Sequence, residues 1–206
     1  SNETSKVFSG SFAIEPPADY AGVLNFTVKA ISDYGVTGME SVTATPTLFF
    51  APISDGASAA FSGSGNEDTL IKVNVSVGPR DSSETVSAIT VQPLASGERL
   101  TDSAGNELAK TNGVYVLQPS QYGDVWLSPA ANLHGTRNVT FGVTTTDTAV
   151  NGTGATVTHS VTETMTRQIS VAAVADGANF ASLSGAISGA ETDASIRIAG
   201  AGRITV

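Results

Sequence analysis

Asp55-Gly56-Ala57, followed by Glu67-Asp68-Thr69-Leu70-Ile71-Lys72-Val73-Asn74-Val75-Ser76-Val77, is the stretch on which the fold turns. In its second half Val73, Val75 and Val77 alternate with Lys72, Asn74 and Ser76. A period of two describes a strand with one buried face. The same order of signals returns later as Asp176-Gly177-Ala178, then Glu191-Thr192-Asp193-Ala194-Ser195-Ile196-Arg197-Ile198. The two Asp-Gly-Ala triplets start 121 residues apart, at Asp55 and Asp176, which is roughly one β-sandwich domain. A tandem array is the expectation.

Outward from that stretch the alternation continues. Leu24, Phe26, Val28 and Ala30 alternate with Asn25, Thr27 and Lys29, and Val139, Phe141 and Val143 with Thr140 and Gly142. Val157, His159 and Val161 read as a polar edge strand, and Ile169, Val171 and Ala173 close the unit. Ser103-Ala104-Gly105-Asn106 and Thr111-Asn112-Gly113 carry residues that tolerate positive φ and predict a hairpin before Val114-Tyr115-Val116-Leu117. Asn151-Gly152-Thr153-Gly154 predicts the turn between the strands of Val143 and Val157. No long segment has a period of 3.6. Short strands at intervals of about ten residues point to an all-β sandwich. A second internal match pairs Phe12-Ala13-Ile14-Glu15-Pro16-Pro17-Ala18-Asp19-Tyr20-Ala21-Gly22 with Val125-Trp126-Leu127-Ser128-Pro129-Ala130-Ala131-Asn132-Leu133-His134-Gly135. The expected organisation is the end of one repeat over 1–57, a complete sandwich over 58–178 and the start of another repeat over 179–206. The chain is expected to be a piece of a longer repetitive protein.

Composition narrows the function. Acidic residues outnumber basic ones 19 to 10, for a net charge of -9, which disfavours nucleic acid and anionic membrane as partners. No apolar run approaches the roughly 20 residues of a membrane helix, so no membrane insertion is expected. There is no cysteine and there are two histidines, so neither a disulfide nor a thiolate or multi-histidine metal site is expected.

The carboxylates cluster at the repeat junctions, where a hard oxygen-seeking cation such as calcium would stiffen a hinge. Calcium takes 6–8 oxygen ligands. Asp55 in the linker is expected to meet Glu67 and Asp68 at one end of the central unit, with Glu84 returning to that end and Asp147 ending a strand. The counterparts at the second junction are Asp176, Glu191 and Asp193. The alternative is that these are solvated acids of turns and strand ends, where Asp is favoured anyway. Trp126 is expected in the core, and His134 and His159 on the surface. No Gly-x-Ser-x-Gly elbow and no phosphate loop is present. No acid pair stands apart from the junction pattern as a glycosidase would need, so no enzyme is expected.

These motifs resemble the cadherin-like, immunoglobulin-like repeats of giant bacterial RTX adhesins exported by type I secretion. The resemblance rests on Glu67-Asp68-Thr69-Leu70-Ile71, Asp81-Ser82-Ser83-Glu84, Leu127-Ser128-Pro129 running to Gly135, Thr144-Thr145-Thr146-Asp147 and Ala175-Asp176-Gly177-Ala178, in that order. Two departures stand out. The usual Asp-x-Asp-Gly before Ser-Glu is reduced to Pro79-Arg80-Asp81-Ser82-Ser83-Glu84, where Arg80 weakens or replaces a cation site. The second acidic pair is split as Glu191-Thr192-Asp193. The resemblance implies an immunoglobulin-like fold, calcium at the junctions, neighbouring repeats as partners and a place on the bacterial cell surface. There the array would extend a distal adhesive domain toward a host or biofilm ligand. The rival function is a sandwich that itself binds a glycan or protein through its loops.

Overall fold

Val and Thr lose little when held extended, because branching at Cβ already restricts χ1. The chain built from them is all-β. The computed structural model describes residues 10–33, 39–175, 179–180 and 204–205. In chain order the strands are β1 (Gly22–Asn25), β2 (Val28–Asp33), β3 (Met39–Ala44), β4 (Thr47–Phe50), β5 (Ala57–Asn66), β6 (Ile71–Pro79), β7 (Thr85–Val91) and β8 (Arg99–Thr101). They continue as β9 (Lys110–Thr111), β10 (Val114–Leu117), β11 (Val125–Ser128), β12 (Gly135–Val150), β13 (Thr156–Ala172), β14 (Asn179–Phe180) and β15 (Ile204–Thr205). No helix among the described residues is long and apolar enough to cross a membrane.

Nine strands, β5 to β13, form one hydrogen-bonded body in the order β8-β11-β6-β5-β13-β12-β7-β10-β9. Strand β5 joins its two arms. Residues 57–62 pair antiparallel with β6, and residues 63–66 pair parallel with β13. Glycines permit the crossing, since a Cβ at Gly63 would lie 2.9 Å from the Lys72 carbonyl oxygen and one at Gly65 2.8 Å from Ile71 Cγ1. The core draws on both arms. Phe61 of β5 stacks on Phe141 of β12 with ring centroids 3.8 Å apart. Ile71, Val73, Ile89, Val91, Val125, Leu127, Val139 and Val143 are buried around that pair. The expected alternations in β6 and β12 place their inward residues in this core.

Trp126 corrects its expectation. Val125 and Leu127 are buried while Trp126 between them is only partly so and lies outside the core cluster, because the period of two turns it outward. Its Nε1 donates to Asp124 Oδ1 at 2.8 Å. Tyr115 is the buried aromatic with a polar role: its hydroxyl accepts from the Leu100 amide at 3.1 Å and donates to Glu107 at 2.8 Å.

Strand β13 bonds β12 from Thr156 to Val171 but reaches β5 only through 169–172. Its first thirteen residues, 156–168, therefore form an edge, as the polar pattern around His159 predicts. The outer face of this pair is lined with hydroxyls. Thr140 bonds Thr166 at 2.9 Å, Thr144 bonds Thr162 at 2.7 Å and Thr146 bonds Ser160 at 2.8 Å.

Upstream, β1 pairs with β4 and β2 with β3 in one continuous register, from Gly22 opposite Phe50 to Asp33 opposite Met39. The Pro-containing loops that precede this hairpin and β12 share a backbone shape. Asp19 and Asn132 both have positive φ, 59° and 56°, as do Gly22 at 138° and Gly135 at 102°. The Tyr20 amide donates to the Pro17 carbonyl at 3.3 Å, and the Leu133 amide to the Ala130 carbonyl at 3.2 Å. The two hairpins differ in length. Thirteen residues (147–159) separate the pair Thr146–Ser160, and five (34–38) separate its counterpart Asp33–Met39, a difference of eight. Asp147–Val150 and Thr156–His159, four paired positions on each strand, make up that difference. They project beyond β7, whose pairing with β12 ends at Thr146.

Candidate metal centre at the linker

The segment 51–56 leads from β4 into β5. A surface loop ordinarily leaves its amides to water, but here three of them, and the Ala57 amide that opens β5, are claimed by side chains of the nine-strand body. The Ile53 amide donates to Asp147 Oδ2 at 3.2 Å, the Ser54 amide to His159 Nδ1 at 2.9 Å and the Ala57 amide to Glu163 Oε2 at 3.0 Å. The Asp55 amide donates to Glu84 Oε1. A backbone N–H can only donate, so His159 carries its proton on Nε2 in this arrangement. Ser54 is itself buried, and its hydroxyl bonds Thr145 Oγ1 at 2.8 Å.

Arg80 completes the cradle. Its Nη1 donates to the Asp55 carbonyl at 2.6 Å, and its Nη2 pairs with Glu163 Oε1 at 2.8 Å. The Ala57 amide, with Arg80 after it, holds the Glu163 carboxyl below the usual range against the opposing pull of desolvation. Gly56 is required at the centre of this cradle. Its φ is +89°, and a Cβ there would lie 2.7 Å from Arg80 Nη1 and 2.9 Å from Glu163 Cδ.

Three carboxylates from separate segments meet at the linker. Asp19 precedes β1, Asp55 lies in the linker and Asp81 follows β6; one oxygen of each lies within 4.8 Å of the others. The Ser83 hydroxyl and amide each donate to Asp81 Oδ1 at 2.5 Å and hold its carboxyl below the usual range. Glu84, bound to the Asp55 amide through Oε1, is 3% exposed, and its Oε2 has no hydrogen-bond partner. A buried carboxylate oxygen without a partner is costly, and a bound cation would satisfy it. The donor set is all oxygen, which suits calcium or magnesium and not a metal that prefers nitrogen or sulfur.

The expected ligands are thereby regrouped. Asp55 and Glu84 come together, but Asp55 does not meet Glu67 and Asp68. Strand β5 separates them, and its ten residues span roughly 33 Å. Glu84 follows β6 back to the Asp55 end, opposite the acidic pair it was expected to join. At the far end Glu67, 6% exposed, accepts from the Val174 amide at 2.6 Å, and its other oxygen lies 3.6 Å from His134 Nδ1. Asp68, with φ of 58°, accepts from the Asn132 amide at 3.0 Å. Asp147 caps the linker through the Ile53 amide. Asp176, Glu191 and Asp193 lie outside the described residues. Sequence reasoning passed over Asp19 and Glu163, quoted Asp81 only within the Asp81-Ser82-Ser83-Glu84 motif, and placed His159 on the surface, where it is exposed, without a role. Asp19 had a signal, since it falls at the Asn132 position of the internal match. Compared with known proteins, the chain matches no family model and no curated protein.

Proposed function

We infer that this chain is a spacer segment of a repetitive bacterial surface adhesin, with β5–β13 forming an immunoglobulin-like sandwich and a calcium ion stiffening the junction before it. The convergence of Asp19, Asp55 and Asp81 carries this reading, and the buried, partnerless Oε2 of Glu84, whose other oxygen holds the Asp55 amide, supports it. Asp19 belongs to the upstream hairpin, Asp55 to the linker, and Asp81 and Glu84 to the nine-strand body. A cation held by all four would tie three segments together and remove the mutual repulsion of their charges. Among the described residues no hydrogen bond or ion pair joins residues 10–50 to 57–175, so the cation would supply the missing polar link. Repetition supports the spacer role: the loop geometry at Asp19 and Asn132 and the linker residues around Asp55 and Asp176 recur along one chain. Neighbouring repeats are then its partners, and adhesion and biofilm formation the functions of the extracellular parent.

The test is thermal unfolding in excess EDTA and in millimolar calcium, with magnesium as control, beside small-angle scattering in the same buffers. A calcium-specific rise in midpoint, together with a narrower distribution of chain dimensions, is expected. An unchanged midpoint and unchanged scattering would refute the calcium-stiffened spacer.

A further inference from the structure

We propose that the eight extra residues of the β12–β13 hairpin form a lock that holds the linker to the nine-strand body without any metal. Asp147–Val150 and Thr156–His159 are the positions by which this hairpin outgrows the upstream one, and they supply two of the four acceptors. Asp147 takes the Ile53 amide and His159 the Ser54 amide. Both acceptors stand directly opposite each other in the ladder, so the pairing that builds the extension also aims them at consecutive linker residues. Pro52 and Ser54 of the linker and Ala149 of the extension are buried. Beyond them the turn is braced by Asn151 Oδ1, which accepts from the Thr153 and Ala155 amides at 3.0 Å each.

Glu163 and Arg80 continue the lock at Ala57 and at the Asp55 carbonyl. Acceptors matched one to one with backbone donors leave those amides protected from exchange and the linker in one conformation. The linker therefore belongs to the body in both cation states. Calcium would act on the upstream hairpin, through Asp19. The lock deepens the spacer reading and rests on it for its purpose, because such a module keeps a defined exit direction when calcium is scarce.

Hydrogen–deuterium exchange of the 206-residue chain, resolved by residue, tests this in excess EDTA and in millimolar calcium. The Ile53, Ser54, Asp55 and Ala57 amides are expected to stay protected in EDTA. The double variant Asp147→Ala, His159→Ala should speed exchange at Ile53 and Ser54 by about tenfold or more and leave the Val139 and Phe141 amides unchanged. A second variant lacking Asp147–Val150 and Thr156–His159 keeps the Asn151–Ala155 turn, closes on the Thr146–Ser160 pair and should give the same local loss. Linker amides that exchange in EDTA like an unstructured peptide, and slow only in calcium, would overturn the lock while leaving the cation site standing. Amides protected equally in both buffers, in a chain whose midpoint ignores calcium, would support the lock and refute the cation site.

Discussion

Glu84→Gln separates the two jobs assigned to one carboxylate. Oε1 receives the Asp55 amide, and Oε2 is buried without a partner. Glutamine keeps an acceptor for the amide and removes the charge. In EDTA the loss of a charge-assisted hydrogen bond costs about 1 kcal/mol, and removal of the buried negative charge returns a similar amount. The variant should then unfold within about 1 kcal/mol of the parent. In calcium the balance changes. At 100 times its dissociation constant a ligand stabilises by about 2.7 kcal/mol, roughly 10 °C in midpoint for a body of this size. Glu84 is one of four candidate carboxylates. A tenfold loss of affinity on removing it would take away about 1.4 kcal/mol, leaving about half of the calcium response. Urea denaturation of parent and variant, each in EDTA and in calcium, reads all four free energies. Equal destabilisation of the variant in both buffers would show that Glu84 serves the linker amide alone. A full calcium response in the variant would remove Oε2 from the ligand set.

Phe141→Ala should lower unfolding free energy by about 3–5 kcal/mol, since the ring is fully buried and stacked on Phe61; a loss under 1 kcal/mol in urea would contradict that packing. Tyr115→Phe leaves the buried Leu100 amide without its acceptor and should cost about 1–3 kcal/mol while far-UV circular dichroism stays unchanged. Glu163 has a depressed folded pKa, so its contribution is present above its unfolded value of about 4.3 and is lost as pH falls through the folded value. Glu163→Gln should therefore flatten the acid limb of a stability profile measured from pH 6 to pH 2, and an unaltered limb would assign acid sensitivity to other carboxylates.

The strands were legible because burial on one face imposes a period of two, and Val73, Val139, Phe141 and Val143 obey it. Trp126 was misread because large aromatics are usually buried; its place between Val125 and Leu127 was already visible and was the better guide. The site was half legible. Asp55 and Glu84 were named, yet their companions were mistaken, because nearness in sequence put Asp55 with Glu67 and Asp68. A ten-residue strand carries the chain to the far end of the body before that acidic pair occurs.

The sequence by itself determined the all-β class, the turns at Asn112-Gly113 and Asn151-Gly152, the internal repetition and the concentration of acids near the linkers. These follow from local preferences and from patterns that repeat at fixed spacing. Tertiary structure alone decided which acids meet. Asp19, Asp55 and Asp81 lie on three segments whose approach depends on how whole strands pair, and Asp147 and His159 become linker acceptors only once sixteen ladder pairs align β12 with β13. Contacts of that kind depend on register summed over many residues, and no short stretch of sequence encodes them.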